Sequence, residues 1–232
     1  MRVEPHGVDS ILHLIKRGTR GMPIVRDEAD RTDFRRLLLH LNDAHMPEHL
    51  RRDITEVPDL VRPAHWPVQE PLTSILGWTL VHNHFHIIVQ ESVENGTAKF
   101  MQRLGGSMSS CFNVKYKEKG SIFQGGYKGI VVDNDPYLRY LTLYVLVKNV
   151  LELHPKGLVY AVNHFDEAWE WALLYPYSSL RSVALDEDSP IVQHRLLRDL
   201  FSSDADFKRE SEQMLRAYVE RRDDDMLFLT LE

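Results

Sequence analysis

Apolar positions along the chain follow two periods, and the alternation between them outlines the fold. The run "VDSILHLIKRGTRG" predicts a strand from Asp9 to about Lys16, closed by a glycine-punctuated basic loop. In "DEADRTDFRRLLLHLNDAH" the acids sit near the start, and Phe34, Leu37, Leu38 and Leu41 recur at helical spacing. Residues 45–71 hold Pro47, Pro58, Pro63, Pro67 and Pro71 without a sustained period, and read as a long loop or insertion. "TSILGWTLV" and "HFHIIVQ" follow as two strands of a hairpin turning around Asn83. A helix over "NGTAKFMQRLGGSMSSCFNVKYKEKG" places Phe100, Leu104, Met108 and Phe112 four apart, with Gly105 and Gly106 marking a kink or a close approach. "YKGIVVDN" is a short strand, and "DPYLRYLTLYVLVKNVLEL" is a helix from Asp135 with Pro136 in its first turn.

The order strand, helix, strand, strand, helix, strand, helix predicts an α+β fold: a ferredoxin-like split β-α-β antiparallel sheet with one added helix. We divide the chain into a larger α+β unit over 1–159, with the insertion at 45–71, and a mainly helical extension over 160–232. The extension opens with the aromatic stretch "FDEAWEWALLYPYSSLRSV", whose first part is expected to pack on the larger unit.

Charge separates the same two parts. The net charge is -6, but residues 1–159 hold 20 Lys and Arg against 18 Asp and Glu, whereas residues 160–232 hold 8 against 16. Between residues 99 and 130, Lys99, Arg103, Lys115, Lys117, Lys119 and Lys128 face only Glu118, a basic field suited to phosphates. The single cysteine, Cys111, excludes an intramolecular disulfide and multi-cysteine zinc sites. With no apolar stretch long enough to span a bilayer and no secretory signal at the start, a cytoplasmic protein without a membrane partner is expected.

Three of the twelve histidines fall within five positions of the hairpin. On a continuous strand His82, His84 and His86 point to one face, with Asn83 and Phe85 opposite. An imidazole pair in "HFHIIV" needs partners or a metal to offset its desolvation, and neutral imidazole is a ready ligand for a divalent ion. Two imidazoles are too few for a stable site. The last helix offers Tyr137, Tyr140 and Tyr144 on roughly one stripe, suited either to an aromatic core or to presenting a phenol.

The motif "HNHFHIIV" resembles the His-hydrophobic-His motif of the HUH nucleases, and its setting resembles their single-tyrosine transposases, including the REP-associated tyrosine transposases. "KRGTRGMPIV" resembles that family's opening strand and basic loop, "SIFQGGYKGIVVDNDPYLRYLTLYV" the approach to its tyrosine helix, and "YPYSSLRS" the aromatic-serine segment after it. The resemblance implies metal-dependent cleavage and transfer of single-stranded or hairpin DNA through a 5'-phosphotyrosine. It makes His84 and His86 ligands of Mg²⁺ or Mn²⁺ and Tyr144 the nucleophile, with His82 a candidate neighbouring base. Arg17, Arg20, Lys115, Lys117, Lys119, Lys128 and Lys148 become candidate DNA contacts, and Trp66 a candidate to stack on an unpaired base. Both a monomer and a homodimer are compatible with the pattern.

One departure bears on activity. The family commonly places an Asn or Gln ligand four residues after the tyrosine, but here that residue is Lys148. Asn149 comes one later, rotated by about another 100 degrees on an α-helix. Either the helix end shifts so that Asn149 becomes the third ligand, or Lys148 approaches the phosphate, or the site is impaired. The last case describes a domesticated protein that binds hairpin DNA without cutting it.

Overall fold

The structure, a computed structural model, describes residues 2–222; the last ten residues of the predicted extension lie outside the described residues. Its sheet is built from β1 (Arg2–Val3), β2 (Ile11–Arg17), β3 (Thr73–Leu80), β4 (His84–Glu91) and β5 (Lys128–Val132), in the order β1-β5-β2-β4-β3. The four long strands pair antiparallel, and only the two-residue β1 lies parallel to its neighbour. β2 and β3 are thus split by β4, the expected split β-α-β arrangement. The fold is α+β.

Each sheet face is covered by a different set of helices. Leu12, Leu14, Phe85, Ile87 and Val89 project into a core shared with Phe34, Leu38, Phe100 and Leu104. These last belong to α1 (Glu28–Leu41) and α3 (Gly96–Tyr116). Asp27 caps α1 through a reciprocal box with Asp30, which satisfies donors at the helix start. The glycine pair does not break α3: at Gly105 a Cβ would lie 2.7 Å from Lys16 Cε, so the missing side chain lets the helix approach β2.

The opposite face carries Leu76, Ile88 and Val132 and is covered by α4 (Asp135–Leu143) and the turns that prolong it. Asn134 caps α4 and Pro136 occupies its first turn, as the sequence pattern predicts. Helices from the acidic extension share this core, through Phe165, Trp169, Leu180, Leu197, Phe207 and Leu215. The segment "YPYSSLRS" docks on the edge of β3: Leu80 N–H donates to Tyr177 O, and Ser179 N–H donates to Trp78 O. No helix among the described residues is long and apolar enough to cross a membrane.

The proline-rich segment 45–71 is more ordered than its composition suggests. It contains α2 (Leu50–Thr55) and a small aromatic cluster around Trp66. There the Trp66 indole N–H donates to Asp53 at 3.0 Å, and Arg62 lies over the ring.

Candidate functional site

β4 delivers His84 and His86 to the face that α4 covers. The register sets His86 opposite Ile15 and Thr79, and His84 opposite Arg17, so period-two alternation brings Arg17 beside the histidine pair. The two imidazole rings meet edge to face at 4.9 Å. His82 does not join them. It falls in the turn before β4, exposed, with its Nδ1 3.1 Å from Arg31, because the hairpin ends its pairing at Phe85 and Leu80.

The tyrosine helix reaches this pair through an irregular turn. Residues Tyr144–Lys148 form a π-helical turn in which Asn149 N–H donates to Tyr144 O, five residues back instead of four. The cause lies in the sheet: Thr79 Oγ1 donates at 2.7 Å to Val145 O, the carbonyl that an α-helical Asn149 would use. Gly77 lets this turn press close, since a Cβ there would lie 3.4 Å from Leu146 and 3.0 Å from Leu197. The wide turn thus gives Asn149 N–H the Tyr144 carbonyl that Lys148 N–H would take in an α-helix. Asn149 is buried, and its Nδ2 has no hydrogen-bond partner among the described residues.

Tyr144 sits 5.9 Å from the His86 ring, edge to face, and 6.3 Å from Tyr140. Tyr144 is 2% exposed and His86 1%, whereas His84 and Arg17 are half-buried, so the site opens on the His84 side. Lys148 is enclosed with Tyr144 and His86. Its ammonium lies 4.8 Å from the Tyr144 ring centroid, 5.1 Å from that of Tyr218 on the C-terminal helix Asp204–Arg222, and 2.9 Å from Glu152. Burial acts to lower the lysine pKa, but Tyr144, Glu152 and Tyr218 outweigh it and hold the value above the ordinary one. Lys148 is therefore a buried, charged ammonium against the phenol.

The histidines are neutral. Burial, then Arg17 and Lys148, push His84 down to about 4. His86 is lowered well below its ordinary value, again chiefly by burial, with His13, His84 and Lys148 adding to it. Neutral rings keep a lone pair for a ligand, and at His84 the atom that holds it is fixed. Asn83 Nδ2 donates to Gly21 O at 3.2 Å, which turns Asn83 Oδ1 toward His84 Nδ1 at 2.7 Å. An oxygen acceptor there requires a proton on Nδ1 and leaves Nε2 bare.

One member of the site was missed in the sequence. His13, in the middle of β2, is completely buried, with its Nε2 2.8 Å from His86 Nδ1 and the rings stacked at 5.1 Å. The available signal was a histidine at the centre of the apolar run "ILHLI", on the face that Ile11 and Ile15 share.

The candidate DNA contacts separate. Arg17, Lys128 and Lys148 gather near the histidines, since Lys128 depresses His13 and the other two depress His84. Arg20 is exposed in the loop after β2, and Lys117 and Lys119 are exposed at the end of α3. Lys115 is held between Asp27 and Asp30 on α1. Trp66 is 8% exposed, hydrogen-bonded to Asp53 and part of the core that α1 and the sheet share, with His40 of α1 edge-on to its ring.

Among the described residues no three His, Cys, Asp or Glu side chains gather in a way that could hold a metal ion. A third ligand at the histidine pair must come from another residue type. Asn149, buried on the turn after Tyr144, carries an amide oxygen, a donor type that a divalent ion accepts alongside neutral imidazole.

Residues 68–146 match the family model described as "Transposase IS200 like". This segment is similar to the IS200-like transposases over about a third of the chain. It contains His84, His86 and Tyr144 and stops before Lys148 and Asn149, so the departure after the tyrosine falls beyond the IS200-like match. Among solved structures, a REP-associated tyrosine transposase bound to a REP hairpin is similar at 13% identity, with a TM-score of 0.43. That similarity covers 82% of this chain and 88% of the other. No curated protein matches the chain.

Proposed function

We propose that the protein cleaves and rejoins single-stranded DNA through a covalent bond between Tyr144 and a 5'-phosphate. The supporting observation is the meeting of two neutral imidazoles with one tyrosine, all within the IS200-like segment. Tyr144 Oη attacks the phosphorus in line, the P–O bond to the 3'-oxygen breaks, and a 3'-hydroxyl is released. The phenol gives up a proton and the leaving oxygen takes one up. Attack by another strand's 3'-hydroxyl reverses the step and completes strand transfer. The Lys148 ammonium favours the phenolate that attacks, and Arg17 and Lys128 hold the flanking phosphates. Mg²⁺ or Mn²⁺ held by His84, His86 and Asn149 would offset the charge developing on the phosphate. The substrate class is hairpin-forming single-stranded DNA.

The test is a gel assay with labelled hairpin DNA from the flanking genomic sequence, with Mn²⁺ or EDTA, beside Tyr144→Phe, Tyr140→Phe and His84→Ala. A metal-dependent adduct lost in Tyr144→Phe and His84→Ala but kept in Tyr140→Phe supports the reading. One observation favours a second reading, a hairpin-binding protein that does not cut: Tyr144 is buried, and Lys148 beside it is buried against Tyr218 of the C-terminal helix. Tight binding by the parent with no adduct under any metal would select it.

A further inference from the structure

The sheet face away from Tyr144 carries a cleft of about 650 Å³ between α3 and the loop before β5. Lys16, one position before Arg17 on β2, projects to that face, because neighbouring strand residues point to opposite sides. Its ammonium donates to Gly125 O at 3.0 Å and lies 4.8 Å from the Phe123 ring centroid. No carboxylate forms an ion pair with it among the described residues. Burial lowers its pKa, the sign of a cation taken from water without a counter-charge. Nearby acids do not make up the deficit: between residues 99 and 130 the one acid is Glu118, already bonded to Arg26 at 2.7 Å. An anion entering the cleft supplies the missing charge.

The wall on α3 is open to close approach. One stripe of this helix, with Met101, Gln102, Gly105 and Gly106 on it, faces the cleft. Gly105 makes room for Lys16, as its contact with Lys16 Cε shows. Gly106 has no such reason: a Cβ there would meet nothing within 4 Å, and glycine is the least favourable helix-interior residue after proline. What it provides is bare backbone, to which a flat ring can come close. Gln102 is exposed on the same wall and has no hydrogen-bond partner among the described residues. Its amide presents donor and acceptor together, as the edge of a base does.

We propose that this cleft binds one nucleotide, its phosphate on Lys16, its base against Gly105 and Gly106, and the base edge read by Gln102. The volume is that of a small-ligand pocket. The same chemistry arrives from two sources, a free mononucleotide or an unpaired nucleotide of a bound strand, and only the second rests on the proposed function. In either case the sheet separates this cleft from the tyrosine site.

The test uses the full chain with Gly106→Leu, which fills the cleft with a good helix former, and Lys16→Met, which keeps the stem and removes the charge. The Gly105 and Gly106 amides are followed by NMR during titration with deoxynucleoside monophosphates, with the matching nucleosides and with inorganic phosphate. A mononucleotide should move both amides and bind about tenfold more tightly than its nucleoside, the worth of one charge-assisted hydrogen bond. Lys16→Met should erase that preference, and Gly106→Leu should abolish binding. Hairpins with and without one bulged nucleotide identify the source. A bulge-dependent affinity lost in Gly106→Leu assigns the cleft to the strand, and mononucleotide binding without it assigns the cleft to a free nucleotide. The proposal is overturned if no mononucleotide moves those amides while both hairpins bind the parent and Gly106→Leu alike, or if phosphate alone accounts for the shifts. A parent that forms no DNA adduct sinks the cutting reading and leaves the mononucleotide titration to decide the cleft.

Discussion

Thr79 joins the histidine strand to the tyrosine helix: its backbone pairs opposite His86 while its hydroxyl donates at 2.7 Å to Val145 O. That bond occupies the carbonyl next to Tyr144 and goes with the π-helical turn in which Asn149 N–H reaches back to Tyr144 O. Thr79→Val keeps the shape and removes the donor. It leaves a buried carbonyl without its partner, at a cost of about 1–3 kcal/mol. Urea unfolding should show that loss. The adduct yield should fall further than stability explains, because the turn can relax to an α-helix and carry Asn149 away. Full adduct yield in a folded Thr79→Val protein would show that the π turn does not position the site.

Most of the sheet and both histidine ligand candidates were legible because alternation and helical spacing are local properties of the chain. The strand and helix limits around His84, Asp135 and Phe100 follow directly from them. The face of His82 was not legible, since a turn placed one residue differently reverses a side chain. Nor was the position of Asn149. An α-helical count pairs its N–H with Val145 O, the carbonyl that Thr79, distant in sequence, takes instead. His13 was hidden for the same reason: nothing in "ILHLI" says which strand will lie beside it. The surroundings of Trp66 were not legible either, since a proline-rich segment reads as a long loop, whereas Asp53 bonds its indole N–H and Arg62 lies over the ring.

Trp66 separates stability from DNA binding. Trp66→Ala should remove roughly 3–5 kcal/mol, the usual cost of deleting a buried aromatic, and expose the Asp53 carboxylate. Trp66→Phe should cost less and lose only the indole hydrogen bond. Hairpin affinity of the folded Trp66→Phe protein should match the parent. A tenfold weaker Kd without a change in Tm would restore Trp66 as a base-stacking residue.

Acid should destabilise the protein before its carboxylates titrate. Burial, then Lys128, puts His13 at about 3, and His84 lies at about 4, each against an ordinary value of 6.5. Between those values the unfolded chain binds protons that the folded chain refuses. Stability is therefore complete above about pH 6.5 and falls as the pH drops, by about 1.4 kcal/mol per pH unit for each such histidine. Urea midpoints between pH 7.5 and 4.5 should show this slope, and His13→Phe should flatten it by about one proton. An identical slope in that variant would mean that His13 is protonated in the folded protein.

Salt dependence of binding should sort the basic residues that composition alone placed together. Arg17 stands opposite His84 at the open end of the sheet, while Lys115 is already neutralised by Asp27 and Asp30. A phosphate contact releases counterions, so losing one reduces the slope of log K against log salt by about 1. Arg17→Ala should weaken hairpin binding and reduce that slope, and Lys128→Ala should do the same. Lys115→Ala should leave the slope unchanged while loosening the junction of α1 and α3, read as a lower Tm. If Lys115→Ala lowers the slope and Arg17→Ala does not, the DNA runs along the end of α3 and not across the histidine face.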